Sequence, residues 1–337
     1  MAKYPLFIVF IVGCIAVLVS SFLYKKSYKE EVNIASLVVH GGAGTTLPEN
    51  IKPELKAAYN DSIKRVLMAG YALLEKGVPA LDVVERVVAL LEDDPLFNAG
   101  KGSVFAHSGE HELDASIMDG KTLQAGAVAV VKHIKNPIHL ARLILDKSEY
   151  LFLSGLQAEE FARLHALEIV SPDYFFTQKR YNQLKKALVE EDARVNHYGT
   201  VGAVACDTQG NCAAATSTGG LTNKKYGRIG DSPVIGAGSY ANNNSCAVSC
   251  TGQGEYFIRT VAAHTVSMLM QYGGYSINDA CKRVIKEIGA LGGHGGIIAV
   301  DRYGKIGIAF NTPNMHLGYI QTNLNASVAS RFTYKIQ

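Results

Sequence analysis

Thr200 stands directly after Gly199, where a polar, charge-rich run gives way to a strand-like apolar one. Glycine adopts backbone angles closed to other residues. Threonine carries a hydroxyl on a stiff β-branched stem. A cut between the two would leave Thr200 with both a nucleophile and a free α-amine, one solution to nucleophilic catalysis. Taken alone, the pair is better read as a turn glycine before a strand. Three further clusters lie downstream: Thr216-Ser217-Thr218-Gly219-Gly220, Gly227-Arg228-Ile229-Gly230-Asp231 and Thr251-Gly252-Gln253-Gly254-Glu255. Each sets a hydroxyl or a charge beside glycines near a strand end, where backbone N–H groups can approach a substrate. Arg228 and Asp231 could pair with each other. They could equally clamp a zwitterion, Arg on a carboxylate and Asp on an ammonium. Thr251-Gly252 could offer a hydroxyl and an N–H to a developing oxyanion.

The elements that must position these residues follow from apolar periodicity and turn signals. Residues 35–39 predict a strand running into His40-Gly41-Gly42-Ala43-Gly44-Thr45, a tight loop that lets another strand or a ligand come close. No helix start or Lys follows it, so a phosphate-binding loop is disfavoured. Helical spacing covers 53–77 and 80–91; a hairpin is expected from 104–107 and 113–118, and a buried strand at 127–131. Helices are predicted at 137–145 and 157–167, and a mobile, part-helical linker over about 171–199. A strand–turn–strand spans 200–207 and 212–217, with strand candidates at 234–236 and 247–250. One helix is expected over 255–272, another over 277–288, and a final hairpin from 295–300 and 305–310. Hairpins mixed with helices predict sheets buried under helices, an α+β architecture.

The chain has 337 residues, 48% of them hydrophobic, enough for a substantial core. With 19% charged residues, a net charge of +3 and no basic stripe with interleaved aromatics, nucleic acid is not an expected partner. Lys3 is followed by an uncharged apolar run to Leu23, then Lys25 and Lys26. About twenty apolar residues can span a bilayer, so residues 1–26 read as a signal peptide or uncleaved signal anchor, with membrane contact only there and an exported or membrane-anchored protein. Of six cysteines, Cys14 lies in that run. Cys206 and Cys212 flank a turn and could oxidise in an exported protein, but the set reads mostly as buried free thiols, and no spacing suggests a zinc or redox motif.

Taken together and in this order, the motifs resemble the plant-type L-asparaginase / isoaspartyl peptidase family of N-terminal-nucleophile hydrolases. The resemblance runs from His40 to about Thr312. It rests on His40-Gly41-Gly42-Ala43-Gly44, Phe97-Asn98-Ala99-Gly100, Glu112 to Gly120, Gly199 to Ala205, Ala215 to Gly220, Gly227 to Pro233, Gly236-Ala237-Gly238 and Thr251 to Glu255. It implies a four-layer αββα sandwich, self-cleavage into an α chain ending at Gly199 and a β chain starting at Thr200, and a dimer of such pairs. It implies Thr200 as nucleophile with Thr218 and Thr251 as supporting hydroxyls, Thr251 and Gly252 as oxyanion hole, Arg228 and Asp231 on the substrate's α-carboxylate and α-amine, and Gly254 lining the pocket. Its substrates would be L-asparagine or β-aspartyl dipeptides, with no cofactor. A structural sodium ion would be wrapped by backbone carbonyls of Leu91, Glu92, Phe97, Ala99 and Lys101. Glycosylasparaginase activity on the same scaffold is the nearest alternative. A non-catalytic membrane-tethered binding protein is the other, against which the retention of all five polar residues argues.

Overall fold

A computed structural model describes residues 34–44, 51–190, 199–323 and 332–336. Its centre is a hairpin of two strands that are buried on both faces, β5 (Val201–Cys206) and β6 (Cys212–Thr218), paired from Val201↔Ser217 to Cys206↔Cys212. Alanine, glycine and small hydroxylated residues dominate them because packed layers press on both sides. The turn closes on Asp207, whose carboxylate accepts from the N–H groups of Gln209 (2.9 Å) and Asn211 (3.0 Å), while Gly210 takes φ 77°. β1 (Ile34–Gly44) pairs with β5, and β2 (Leu113–Asp119) pairs with β6, both antiparallel. Adding β3 (Ala125–Val131), β4 (Phe152–Ser154), β11 (Asn314–Asn323) and β12 (Phe332–Ile336) gives an eight-stranded sheet of order β12-β11-β1-β5-β6-β2-β3-β4. A second sheet has the order β10-β9-β8-β7, built from β7 (Ser239–Ala241), β8 (Cys246–Gly252), β9 (Gly295–Asp301) and β10 (Ile306–Phe310).

Alternation along the strands distributes side chains between layers. Val201, Ala203 and Ala205 face one core, shared with Val83, Val84 and Val87 of a helix, whereas Val204 and Cys206 face Ala247, Ile298 and Val300 of the second sheet. On the far side of that sheet, Val248, Cys250 and Ala299 meet Val266, Val284 and Ile288. The helices on the first sheet include α1 (Pro53–Glu75), α2 (Ala80–Glu92) and α3 (Pro137–Lys147). α1 buries Ile63, Val66, Leu67, Gly70 and Leu74, an apolar stripe at helical spacing, and approaches β1 and α2 so closely that a Cβ on Gly70 would meet Leu37 at 2.4 Å. α4 (Gly155–Leu164) and α5 (Gln178–Val189) follow, the latter tied down by Arg180 Nε donating to the Gly102 carbonyl at 2.7 Å. The second sheet carries α6 (Gly254–Arg259), α7 (Ala262–Gln271) and α8 (Ile277–Ala290).

Several expectations are corrected. Residues 104–107 form no strand: Asn98 Oδ1 accepts from the Val104 N–H at 2.9 Å, and β2 pairs instead with β3. The helix expected over 255–272 breaks at Val261, which takes φ 47°. α7 can start afresh there because the Ala237 and Gly236 carbonyls accept from the N–H groups of Ala263 and His264 (3.2 and 2.8 Å). Residues 234–236 form no strand but lead into a turn whose Gly236 and Ala237 carbonyls supply this cap, and the strand lies later, at β7. β11, without a clear period, was not foreseen. Cys206, Cys212, Cys246, Cys250 and Cys281 are free and buried. The expectation of an exported or membrane-anchored protein is also corrected. Among the described residues no helix is long and apolar enough to cross a membrane, because their apolar stripes pack on sheets, and residues 1–26 lie outside the described residues.

Candidate active site

Thr200 sits at the head of β5, where the central hairpin ends, and is buried to 8% exposure. Its hydroxyl donates to Thr218 Oγ1, at the end of the paired strand, over 3.1 Å. Thr218 Oγ1 also accepts from the Gly220 N–H at 3.1 Å. On the other side of the bond, the Gly199 carbonyl accepts from the Asn98 N–H at 3.0 Å. Asn98 is locked in turn: its side-chain amide donates to the Gly220 carbonyl (2.7 Å) and its own carbonyl accepts from Gly219 (3.0 Å). The glycines at this point permit close approach, since a Cβ on Gly42 would lie 2.5 Å from the Gly199 Cα. The glycine run after His40 therefore does bring another backbone close, although it belongs to β1, with a register shift between His40 and Ala43, rather than to a loop.

Thr251, at the end of β8, joins from the second sheet. Its Oγ1 accepts from the Ala43 N–H at 3.3 Å, which leaves its own proton available to another acceptor. Gly252 adopts φ 151°, and a Cβ there would meet the His294 carbonyl at 2.4 Å. Only glycine suits that crowded position. The following Gln253 N–H donates to the same carbonyl at 2.9 Å, fixing the loop that leads to Gly254.

Arg228 and Asp231 do not form the mutual salt bridge that their spacing allowed. Arg228 instead makes a bidentate pair with Glu255, Nε to Oε1 at 2.8 Å and Nη2 to Oε2 at 3.0 Å. Burial pushes the Glu255 carboxyl up, but its hydrogen bonds to Arg228 win and hold it below the usual range. Asp231 is buried, its Oδ2 has no hydrogen-bond partner, and burial raises its pKa to about 7 against the pull of Arg228. A Cβ built on Gly254 would lie 2.9 Å from both Arg228 Nη2 and Asp231 Oδ1. Only a glycine lets this backbone pass so close to both, which sets a cation and an anion side by side, the charge pattern of a zwitterion clamp.

The loop after α2 was the expected cation site. The Leu91 carbonyl accepts from Asp94 N–H (3.3 Å) and that of Ala99 from Gly102 N–H (3.2 Å). The carbonyls of Glu92 and Phe97 press on Gly100 and Gly102, where a Cβ would meet them at 2.4 and 2.1 Å. The Lys101 ammonium is turned to the Tyr174 ring, 5.3 Å from its centroid. Neutral carbonyl oxygens in a tightly wrapped loop suit a hard cation. Among the described residues no group of three or more His, Cys, Asp or Glu side chains could hold a metal ion. The Glu92 side chain faces the hairpin, accepting from Ser217 Oγ at 2.6 Å and the Ile138 N–H at 3.1 Å; burial raises its pKa to about 7.

Some polar residues had no role assigned from sequence. Asn98 and His40 were visible only as members of motifs. Lys224 is buried against Glu112, Nζ to Oε2 at 3.3 Å. Ser249, opposite the first sheet, bonds His40 at 3.0 Å and gave no signal, because a serine in a buried strand looks like any small core residue.

A threonine hydroxyl at a strand head, its hydroxyl neighbour and an adjacent carbonyl held by an N–H suit the class of hydrolases with an N-terminal nucleophile. A family profile described as Asparaginase matches residues 33–329. The chain belongs to that family. It is 49% identical to an isoaspartyl peptidase of Salmonella typhimurium over 296 residues, covering 85% of this chain and 95% of that protein. A putative isoaspartyl peptidase/L-asparaginase of Dictyostelium discoideum is 45% identical, with 84% and 92% covered. An isoaspartyl peptidase/L-asparaginase of Bos taurus is 41% identical, with 83% and 91% covered.

Proposed function

We propose that this protein is a self-processing amidohydrolase that cleaves L-asparagine or β-aspartyl dipeptides through an acyl-Thr200 intermediate. The observation that carries the reading is the pairing at one peptide bond: Thr200 Oγ1 held by Thr218 at 3.1 Å, and the adjacent Gly199 carbonyl held by the Asn98 N–H at 3.0 Å. In the first reaction Thr200 Oγ attacks the Gly199 carbonyl carbon, the C–N bond breaks, and the resulting ester is hydrolysed by water. The products are a Gly199 carboxylate and a free Thr200 amine. The Asn98 N–H stabilises negative charge on the Gly199 oxygen during this attack.

The second reaction uses what the first creates. A peptide nitrogen is not basic, whereas an α-amine has a pKa of about 7.7–8.0, near working pH. The amine takes the Oγ proton as Oγ attacks the side-chain carbonyl carbon of the substrate. Thr251 Oγ–H and the Gly252 N–H receive the oxyanion. The amine then gives its proton to the leaving ammonia or amine, and water releases aspartate from Thr200. Arg228 binds the α-carboxylate and Asp231 the α-ammonium, with Gly254 lining the pocket. No step uses a cofactor. A sodium ion held by carbonyls of Leu91, Glu92, Phe97, Ala99 and Lys101 would stiffen the loop that carries Asn98.

The helix–sheet–sheet–helix packing corresponds in this reading to the four-layer αββα sandwich, residues 35–337 to one catalytic domain, and two cleaved pairs to the working dimer. The names of the relatives favour this chemistry over glycosylasparagine cleavage or a non-catalytic binding role. A denaturing gel tests it: the purified chain runs as two fragments and Thr200→Ala as one, with turnover of both substrate types measured side by side. A folded wild-type chain that stays intact refutes the reading.

A further inference from the structure

We infer that His40 is a positioning residue that holds the Thr200–Val201 peptide plane, from which both the nucleophilic hydroxyl and the future α-amine hang. The inference rests on the proposed cleavage before Thr200. His40 Nδ1 lies 3.0 Å from the Thr200 carbonyl oxygen, and Nε2 lies 3.0 Å from Ser249 Oγ. Ser249 Oγ is 2.7 Å from Thr216 Oγ1, which also reaches the Gly238 carbonyl at 3.3 Å. His40, Thr216 and Ser249 are all 0% exposed.

The direction of this chain is set at its His40 end. A carbonyl only accepts, so Nδ1 must carry a proton facing Thr200. Burial lowers the ring's pKa to about 3, so the imidazole is neutral and Nε2 has no proton. Nε2 therefore accepts from the Ser249 hydroxyl, and Ser249 takes the Thr216 proton over 2.7 Å in preference to the longer 3.3 Å contact from Thr216 Oγ1 to the Gly238 carbonyl. The carbonyl selects one tautomer, and two hydroxyls from different sheets satisfy its other ring nitrogen. Gly202, facing His40 across the β1–β5 ladder, leaves room for the arrangement: a Cβ there would meet Ser249 Oγ at 2.0 Å and His40 Nε2 at 2.4 Å.

The contact matters most after the cut. Before it, Thr200 is anchored on both sides, through the Gly199 carbonyl on Asn98 and through its own carbonyl on His40. Cleavage ends the first anchorage, because Gly199 leaves as a carboxylate. The second lies on the C-terminal side of the broken bond and survives. A chain terminus would otherwise fray, and a reacting group displaced by about 1 Å can lose about 10²-fold in rate.

The experiment compares wild type, His40→Ala, His40→Asn and Ser249→Ala as full chains. Self-cleavage is followed on denaturing gels, and kcat and KM are measured on asparagine and a β-aspartyl dipeptide. His40→Ala is expected to lower kcat about 100-fold with KM unchanged, and to slow cleavage. Asparagine places an amide N–H near the Nδ1 position, so His40→Asn should recover most of the loss. Ser249→Ala should lower kcat while leaving KM alone. A wild-type His40 carrying its proton on Nε2 in ¹⁵N NMR overturns the inference, even where His40→Ala does not fold. So does His40→Asn performing no better than His40→Ala, or all three variants matching wild type. An uncut wild-type chain defeats the cleavage reading itself; a cut wild type with indifferent variants defeats only the role of His40.

Discussion

Replacing Asp231 with asparagine separates what this carboxylate costs the fold from what it does for substrate. Asp231 is 4% exposed, its Oδ2 lacks a hydrogen-bond partner, and burial raises its pKa from 3.8 to about 7. At about 1.4 kcal/mol per unit, that rise corresponds to roughly 4 kcal/mol. Between pH 4 and 7 the folded protein keeps a proton that the unfolded chain has released, so this contribution to stability is present below about pH 4 and is lost as pH rises towards 7. Above pH 7 the full cost of the buried charge remains. An amide never ionises, so Asp231→Asn escapes the cost, less about 1–3 kcal/mol for an amide N–H without a partner. The comparison belongs in a Thr200→Ala background, which keeps the chain continuous. Calorimetry should show the asparagine variant melting several degrees higher relative to its parent at pH 8 than at pH 4. A difference independent of pH would refute the argument, because it would mean that Asp231 is not carrying a buried charge. In the active background the same change should lower kcat/KM at least about 30-fold for substrates with an α-ammonium, since removing one partner of a buried charge pair costs about 2–5 kcal/mol.

Arg228→Ala should raise KM on both substrate types while leaving cleavage at Gly199–Thr200 intact, as gels and steady-state rates will show; loss of cleavage would make Arg228 a structural residue. Thr200→Ser should still cut itself and turn over, because hydroxyl and amine both survive. In wild type, kcat/KM should rise with pH through about 7 as Asp231 loses its proton, a rise that Asp231→Asn should displace or abolish. Gly202→Ala should impair folding and self-cleavage together, since its Cβ would fall 2.0 Å from Ser249 Oγ; overpacking of this kind costs about 1–3 kcal/mol, visible as a lowered Tm.

Sequence alone determined the chemistry-bearing types and most of the elements around them. Gly199-Thr200, the hydroxyl clusters and the Arg228/Asp231 spacing were legible because glycine and hydroxyl residues at strand ends are local signals. The central hairpin, α1, α2 and α8 were legible because their apolar period matches a single face or a single turn. Other features were decided by contacts between distant segments. The helix expected over 255–272 divides at Val261 because carbonyls of Gly236 and Ala237 cap the second part, and no local preference encodes that. Residues 104–107 stay out of a sheet because Asn98 claims the Val104 N–H. Arg228 pairs with Glu255, 27 positions away, rather than with its near neighbour Asp231. The link from His40 through Ser249 to Thr216 joins two sheets through residues 209 and 33 positions apart. Periodicity reports which side of an element is buried, but only the assembled layers determine which buried polar groups meet. That meeting is what holds the hydroxyl of the threonine after Gly199 against Thr218 across the central hairpin.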